Sequence, residues 1–226
     1  MLAGLVDLLL PARCGACRAL GCWLCERCRA AIRHLEEPTC PRCGVELEFA
    51  RKSCACRVRL KALSRLRSAV AYEGPIELAV KRFKYDGWRR LARPLALLLS
   101  ERLVVEGLSA HWVLAVPLHP SRQRQRGFNQ AELLAHELRR GMALGKPPGE
   151  LVRTRPTPPQ VGHDRLWRLE NVRGAFAWHG ADLAGRSVLV VDDVATTGAT
   201  IEACAVALRA SGSGPITGAS VARVIL

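Results

Sequence analysis

Val188 to Val191 form an apolar run that ends in two adjacent carboxylates, Asp192 and Asp193. A small, hydroxyl-rich stretch follows: Ala195, Thr196, Thr197, Gly198, Ala199 and Thr200. Ile201, Ala205 and Leu208 then recur at helical spacing, so the segment reads as strand, loop and helix. Such a turn gathers free backbone N–H groups and the positive end of a helix dipole around one point, which suits a phosphate. Carboxylates accept hydrogen bonds from hydroxyls strongly, and Mg²⁺ offsets their crowding with an anionic ligand. The chemistry expected here is capture of a hydroxylated, phosphorylated ligand. The plainer alternative is a strand–helix junction with a polar strand end and a capping Thr.

A second unit of the same kind lies upstream. Trp112 to Val116 reads as a short strand, ending in Pro117, Leu118, His119 and Pro120. Arg122, Arg124 and Arg126 alternate after it, then Gly127-Phe128-Asn129-Gln130 and an apolar-periodic helix over 131–140. Three arginines at the C-terminal end of a strand are cationic partners for a polyanion rather than a solvated face. His119 either donates to phosphate or packs. Residues 145–165 are rich in Pro and Gly, with Arg153, Arg155, Thr157 and Gln160 interspersed. They are expected to form a long mobile connection that closes over a ligand.

Nine of the ten cysteines lie before residue 57. Cys14 and Cys17, Cys25 and Cys28, Cys40 and Cys43, and Cys54 and Cys56 form four short pairs. Two such pairs complete a tetrahedral S₄ site, so structural zinc is expected, with sequential and cross-braced pairings both open. A disulfide scaffold is the competing account, and a reducing compartment argues against it. Cys22 is left over, and Cys204 falls on the apolar face of the last helix. With so little core of its own, this module depends on metal.

The remaining pattern alternates strands with helices. Leu66 to Tyr72 and Thr217 to Ile225 read as strands, the second closing the sheet, with another candidate over 175–178. Gly74-Pro75 opens one helix and Pro94 another. A mostly parallel α/β sheet is expected. At 226 residues the chain suits a Cys-rich module over 1–60 and one larger domain over 61–226. The run Leu2 to Leu10 lacks a basic flank and contains Asp7, so it does not read as a targeting signal, and a cytoplasmic location is expected. The net charge of +14, mostly from Arg, permits nucleic-acid binding, although Arg-favouring codon usage produces the same bias.

The combination resembles the ComF family. The resemblance is carried by the Cys pairs, by Phe83-Lys84-Tyr85-Asp86-Gly87, by Val116-Pro117-Leu118-His119-Pro120 and by Arg126-Gly127-Phe128-Asn129-Gln130. Val191-Asp192-Asp193-Val194 with Thr196-Thr197-Gly198-Ala199-Thr200 completes it, and Thr157, Gln160, Arg168 and Asn171 fall in the family's order. It implies a type I phosphoribosyltransferase fold behind a zinc-ribbon-like module. It also implies phosphoribosyl pyrophosphate (PRPP) and Mg²⁺ as ligands: ribose hydroxyls on Asp192 and Asp193, the 5-phosphate in the 195–200 loop, and pyrophosphate near Pro117, Leu118, His119, Arg122 and Arg126. Pentosyl transfer to an acceptor, a link to competence and incoming single-stranded DNA, and a homodimer are further implications. A non-enzymatic single-stranded DNA binder or PRPP sensor on the same fold stays open, with Phe128 as a stacking surface.

Overall fold

The structure is a computed structural model that describes residues 11–47, 54, 56–156 and 171–225. The run Leu2 to Leu10 and residues Thr157, Gln160 and Arg168 lie outside these. In chain order the described elements begin with α1 (Glu26–Ala30), α2 (Cys56–Arg59), β1 (Arg65–Ala71), α3 (Gly74–Tyr85) and a 3₁₀ turn (Arg89–Leu91). Then come α4 (Ala92–Val105), β2 (Trp112–Ala115), α5 (Pro120–Arg126), α6 (Gln130–Met142), β3 (Gly149–Arg153) and β4 (Phe176–Gly180). β5 (Val188–Ala195), α7 (Ala199–Ala210) and β6 (Ile216–Arg223) complete the chain.

The main sheet runs β1-β6-β5-β2, with every pairing parallel. Parallel strands need crossover helices that cover the faces, and this explains why β5 begins with four apolar residues in a row. α4 and α6 pack on each other and on the sheet, and α7 packs on β5, β6 and β4. The core is continuous through Phe83, Leu95, Leu99, Leu134, Val190 and Ile201, all buried.

β6 does not close the sheet at an edge; it lies inside, between β1 and β5. Its small residues explain the position. A Cβ on Gly218 would sit 2.7 Å from Ile201 Cγ2 and 2.9 Å from Leu66 Cδ1, so only glycine lets the neighbouring side chains approach. The stretch expected to be an irregular connection is partly regular. β3 pairs antiparallel with β4, with buried Leu151 opposite Trp178. Its partner comes from more than twenty residues downstream, which local composition does not reveal.

The Cys-rich segment divides into two packing environments. Cys14, Ala16 and Cys28 form a small cluster of their own. Cys40, Cys43 and Cys56 belong to the main core, together with Leu60, Leu63 and Leu66. Arg82, on α3, holds the first cluster by donating to the Gly15 and Ala16 carbonyls at 2.6 and 2.7 Å.

Candidate functional site

A cleft of about 410 Å³ opens where β5 and β2 end. Asp192, Asp193, Thr196 and Thr200 line one wall, and Leu118, Arg122 and Arg126 line another. Residues that the sequence places in two separate strand–loop–helix units thus face one space, as expected where parallel strands end.

The acidic pair is tightly set. The Asp193 N–H donates to Asp192 Oδ1 at 2.9 Å, and Lys84 Nζ lies 2.7 Å from Asp193 Oδ1. Burial and the adjacent Asp193 charge push the Asp192 carboxyl up to about 7, with Lys84 pulling it back. Burial disfavours the Lys84 ammonium, but the Asp193 charge outweighs it and raises its pKa. Lys84 reaches this position because the last turn of α3 ends beside β5.

The loop after β5 turns through Gly198 at φ +81°, a left-handed conformation that favours glycine, and α7 starts at the next residue. Thr197 is buried, and its Oγ1 accepts the Ala199 N–H at 3.3 Å. Ala195, Gly198, Ala199 and Thr200 line a small hollow of about 30 Å³ at this helix N-terminus, next to Asp192. First-turn N–H groups have no intrahelical acceptor, so an anion fits there.

The three arginines, expected in the loop between strand and helix, sit on a short helix of their own. Pro120 occupies the first turn of α5, His119 is its N-cap, and Gly127 at φ +75° ends it. The helical repeat turns Arg122 and Arg126, one turn apart, into the cleft, whereas Arg124 is exposed and does not line it. His119 is engaged in capping: its Nδ1 lies 3.3 Å from the Ser121 N–H and 2.7 Å from Ser121 Oγ. Neither His119 nor Pro117 lines the cleft. Phe128 is buried against Phe83 at 6.0 Å, so it is a core residue and not a stacking surface.

The cleft also takes in residues that the sequence did not single out for it, among them Lys84, Tyr85, Arg153 and Asn129. Lys84 and Tyr85 come from α3, Arg153 from β3, and Asn129 from the start of α6. Asn129 ties strand to helix: Nδ2 donates to the Val116 carbonyl at 3.0 Å, and Oδ1 accepts the Ala131 N–H at 3.0 Å. Phe83-Lys84-Tyr85 and Arg126 to Gln130 were visible as motifs, but nothing in their spacing said that they share a cleft.

The cysteines gather as Cys14, Cys17, Cys25, Cys28 and as Cys40, Cys43, Cys54, Cys56, with all sulfurs of a set within 4.8 Å. This is the sequential grouping. Zn–S bonds of about 2.3 Å in a tetrahedron give S···S edges of about 3.8 Å. The observed Cys17–Cys25, Cys40–Cys56 and Cys43–Cys54 separations are 3.7, 3.6 and 3.3 Å, so the donor sets fit zinc. Without a cation the sulfurs resist joint ionisation. Burial pushes Cys28 up to about 12 and Cys43 up to about 11. Burial also raises Cys14 and Cys40, but backbone N–H groups outweigh it and bring both down to about 6. A divalent metal removes this conflict. Cys22 belongs to neither set, and Cys204 is fully buried core.

A family profile described as a double zinc ribbon domain matches residues 5–57. The chain is 31% identical over 223 residues to the DNA utilization protein YhgH of Escherichia coli O157:H7, covering 92% of this chain and 96% of that one. It is also 31% identical over 197 residues to competence protein F of Haemophilus influenzae, covering 84% and 85% of the two chains. The chain belongs to the ComF family. Competence protein ComFC of Streptococcus pneumoniae is 28% identical over 203 residues, covering 88% of this chain and 87% of that one. Among solved structures, Leishmania donovani UMP synthase covers 59% of this chain and 23% of its own, with a TM-score of 0.34 and 16% identity, a partial likeness only. This ComF protein therefore carries a mostly parallel sheet flanked by helices behind a Cys-rich zinc-ribbon module whose two Cys sets suit structural zinc. Among the described residues, no helix is long and apolar enough to cross a membrane.

Proposed function

We propose that the cleft binds PRPP with Mg²⁺. The observation that carries this reading is the meeting of three groups in one 410 Å³ space: the Asp192–Asp193 pair, the loop around Thr196 and Thr200, and the Arg122 and Arg126 guanidiniums. The 5-phosphate takes the N–H groups at the start of α7, through Ala195 to Thr200. The ribose hydroxyls donate to Asp192 and Asp193, and pyrophosphate meets Arg122 and Arg126, with Lys84 and Arg153 adding positive charge nearby. Mg²⁺, when bound, neutralises the charge between pyrophosphate and the acidic pair. Leu118 shapes the same wall, while Pro117 and His119 set the start of α5.

Transfer on this scaffold breaks the C1–O bond of PRPP as an acceptor nucleophile forms the new bond, and pyrophosphate leaves with the electron pair. The protein's part is positioning and electrostatics. The relatives' names, DNA utilization protein and competence protein, support a role in the handling of incoming single-stranded DNA, alongside competence machinery in the cytoplasm. A DNA backbone avoids the acidic pair, so DNA occupies the basic surface outside the cleft. The two-part division at residue 60, with the zinc module before it, and a homodimer belong to the same proposal.

Titration calorimetry of the zinc-loaded protein with PRPP and Mg²⁺, then with single-stranded DNA, tests it. Magnesium-dependent PRPP binding that DNA does not displace is expected. PRPP binding that survives unchanged in the Asp192→Asn, Asp193→Asn double variant overturns the cleft assignment.

A further inference from the structure

The second Cys set and the phosphate loop share a wall. Arg223, the last residue of β6, is paired in register with Ala195, the first residue of the loop. The next amide, Val224 N–H, donates to the Ala195 carbonyl at 3.0 Å. Arg223 is only 4% exposed, and its Nη1 donates to the Cys43 carbonyl at 2.7 Å. Its Nε is buried without a hydrogen-bond partner. A hollow of about 80 Å³ beside it is lined by Cys43, Cys54 and Arg59 on one side and by Thr196 and Thr197 on the other.

A second tie runs in parallel. Glu202, buried in the first turn of α7, accepts the N–H groups of Lys61, Ala62 and Leu63 at 2.7, 2.7 and 3.1 Å. These residues follow α2, which begins at Cys56. Gly198 closes the seam: a Cβ there would meet Leu66 Cδ2 at 2.7 Å and Leu60 Cδ2 at 3.4 Å. The first Cys set packs in its own cluster and is held to α3 instead.

Four thiolates around Zn²⁺ carry a formal charge of −2, and buried charge demands nearby cations and N–H donors. Arg223 and Arg59 are the cations lining the hollow beside Cys43 and Cys54. A buried guanidinium N–H without a hydrogen-bond partner is unfavourable alone, and thiolate charge at Cys43 and Cys54, which line the same hollow as Arg223, offsets it. We propose that Arg223 is a positioning residue joining the second zinc centre to the phosphate loop, so that zinc in the Cys40, Cys43, Cys54, Cys56 set orders residues 195–200. Zinc in the Cys14, Cys17, Cys25, Cys28 set lacks this effect. The link does not depend on PRPP being the ligand, because it concerns the loop's order and not its occupant.

Amide hydrogen exchange on the full-length, zinc-loaded chain tests it without any ligand. Arg223→Met and Cys54→Ser are expected to speed exchange at 195–200 by at least tenfold, and Arg223→Lys to restore most of the protection. Loss of one zinc from Arg223→Met reports the same link from the metal side. Where Arg223→Met does not fold, stepwise chelation of the wild-type chain replaces it, and loop protection falls in step with emptying of the second set. Two retained zincs with wild-type exchange at 195–200 in Arg223→Met, or loop protection unchanged after the second set is emptied, overturns the proposal. Failure of PRPP to bind the wild-type chain leaves this readout intact, so the two readings fail separately.

Discussion

Burial and the neighbouring Asp193 charge keep the Asp192 carboxyl protonated up to about pH 7, against the pull of Lys84. An unfolded Asp titrates near pH 3.9, so the folded chain holds this proton over a wider range. The folded pKa is therefore raised. Asp192's contribution to unliganded stability is greatest in acid, falls as pH rises from about 4 to about 7, and is flat above. Binding of the proposed PRPP–Mg²⁺ ligand is expected to run the other way, because Mg²⁺ and ribose hydroxyls need the carboxylate. Magnesium-dependent PRPP affinity is expected to fall about tenfold per pH unit well below pH 7 and to level off above it. Calorimetry at pH 6, 7 and 8 measures this. Asp192→Asn, which keeps the ligand's own titration, supplies the background. An equal slope in that variant assigns the titration to another group.

At the scale of elements, α5 decides which arginines act. Its seven residues, capped by His119 and ended by Gly127, put Arg122 and Arg126 on the cleft face and Arg124 away from it. Charge-assisted hydrogen bonds contribute roughly 1.5–3 kcal/mol, or about 10–100-fold in affinity. Arg122→Ala and Arg126→Ala are each expected to weaken inorganic pyrophosphate binding at least tenfold, and Arg124→Ala about twofold or less. Equal losses at all three positions, read by competition against PRPP, would mean a diffuse basic surface. α3 shows the complementary case: one helix carries Arg82 to the first Cys set and Lys84 to Asp193. One turn of helix thus joins the metal module to the cleft.

The whole molecule is held by one main core that takes in the second Cys set but not the first. Each set is expected to bind one zinc, so metal analysis should return two ions per chain, falling to one in either Cys17→Ser or Cys40→Ser. Their stabilities are expected to differ. Losing a metal that is packed into the core removes several kcal/mol, and for a chain of this size 1 kcal/mol moves the thermal midpoint by about 2–4 °C. Cys40→Ser should lower the midpoint of the main transition by about 10 °C, and Cys17→Ser by less than half of that. Equal shifts would show that both knuckles belong to one cooperative unit.

The parts legible in the sequence were those in which chain neighbours are also spatial neighbours. Val188 to Thr200 contains its own strand, carboxylates, loop and helix start. The Cys-x₂-Cys pairs bring their sulfurs together by local turns, and alternating apolar runs announce a parallel sheet. Tertiary structure alone decided the rest. Strand order placed β6 inside the sheet, the sequential Cys grouping emerged only from packing, and Phe128 proved to be core. Lys84 lies far from Asp193 in the chain, Arg153 sits on a hairpin whose second strand comes much later, and Arg223 touches a cysteine segment nearly the whole chain away. Periodicity, caps and turn residues act over a few residues, whereas a parallel sheet joins strands through long crossovers. The cleft and the zinc–loop seam lie where those crossovers converge, a placement that no short window of sequence contains.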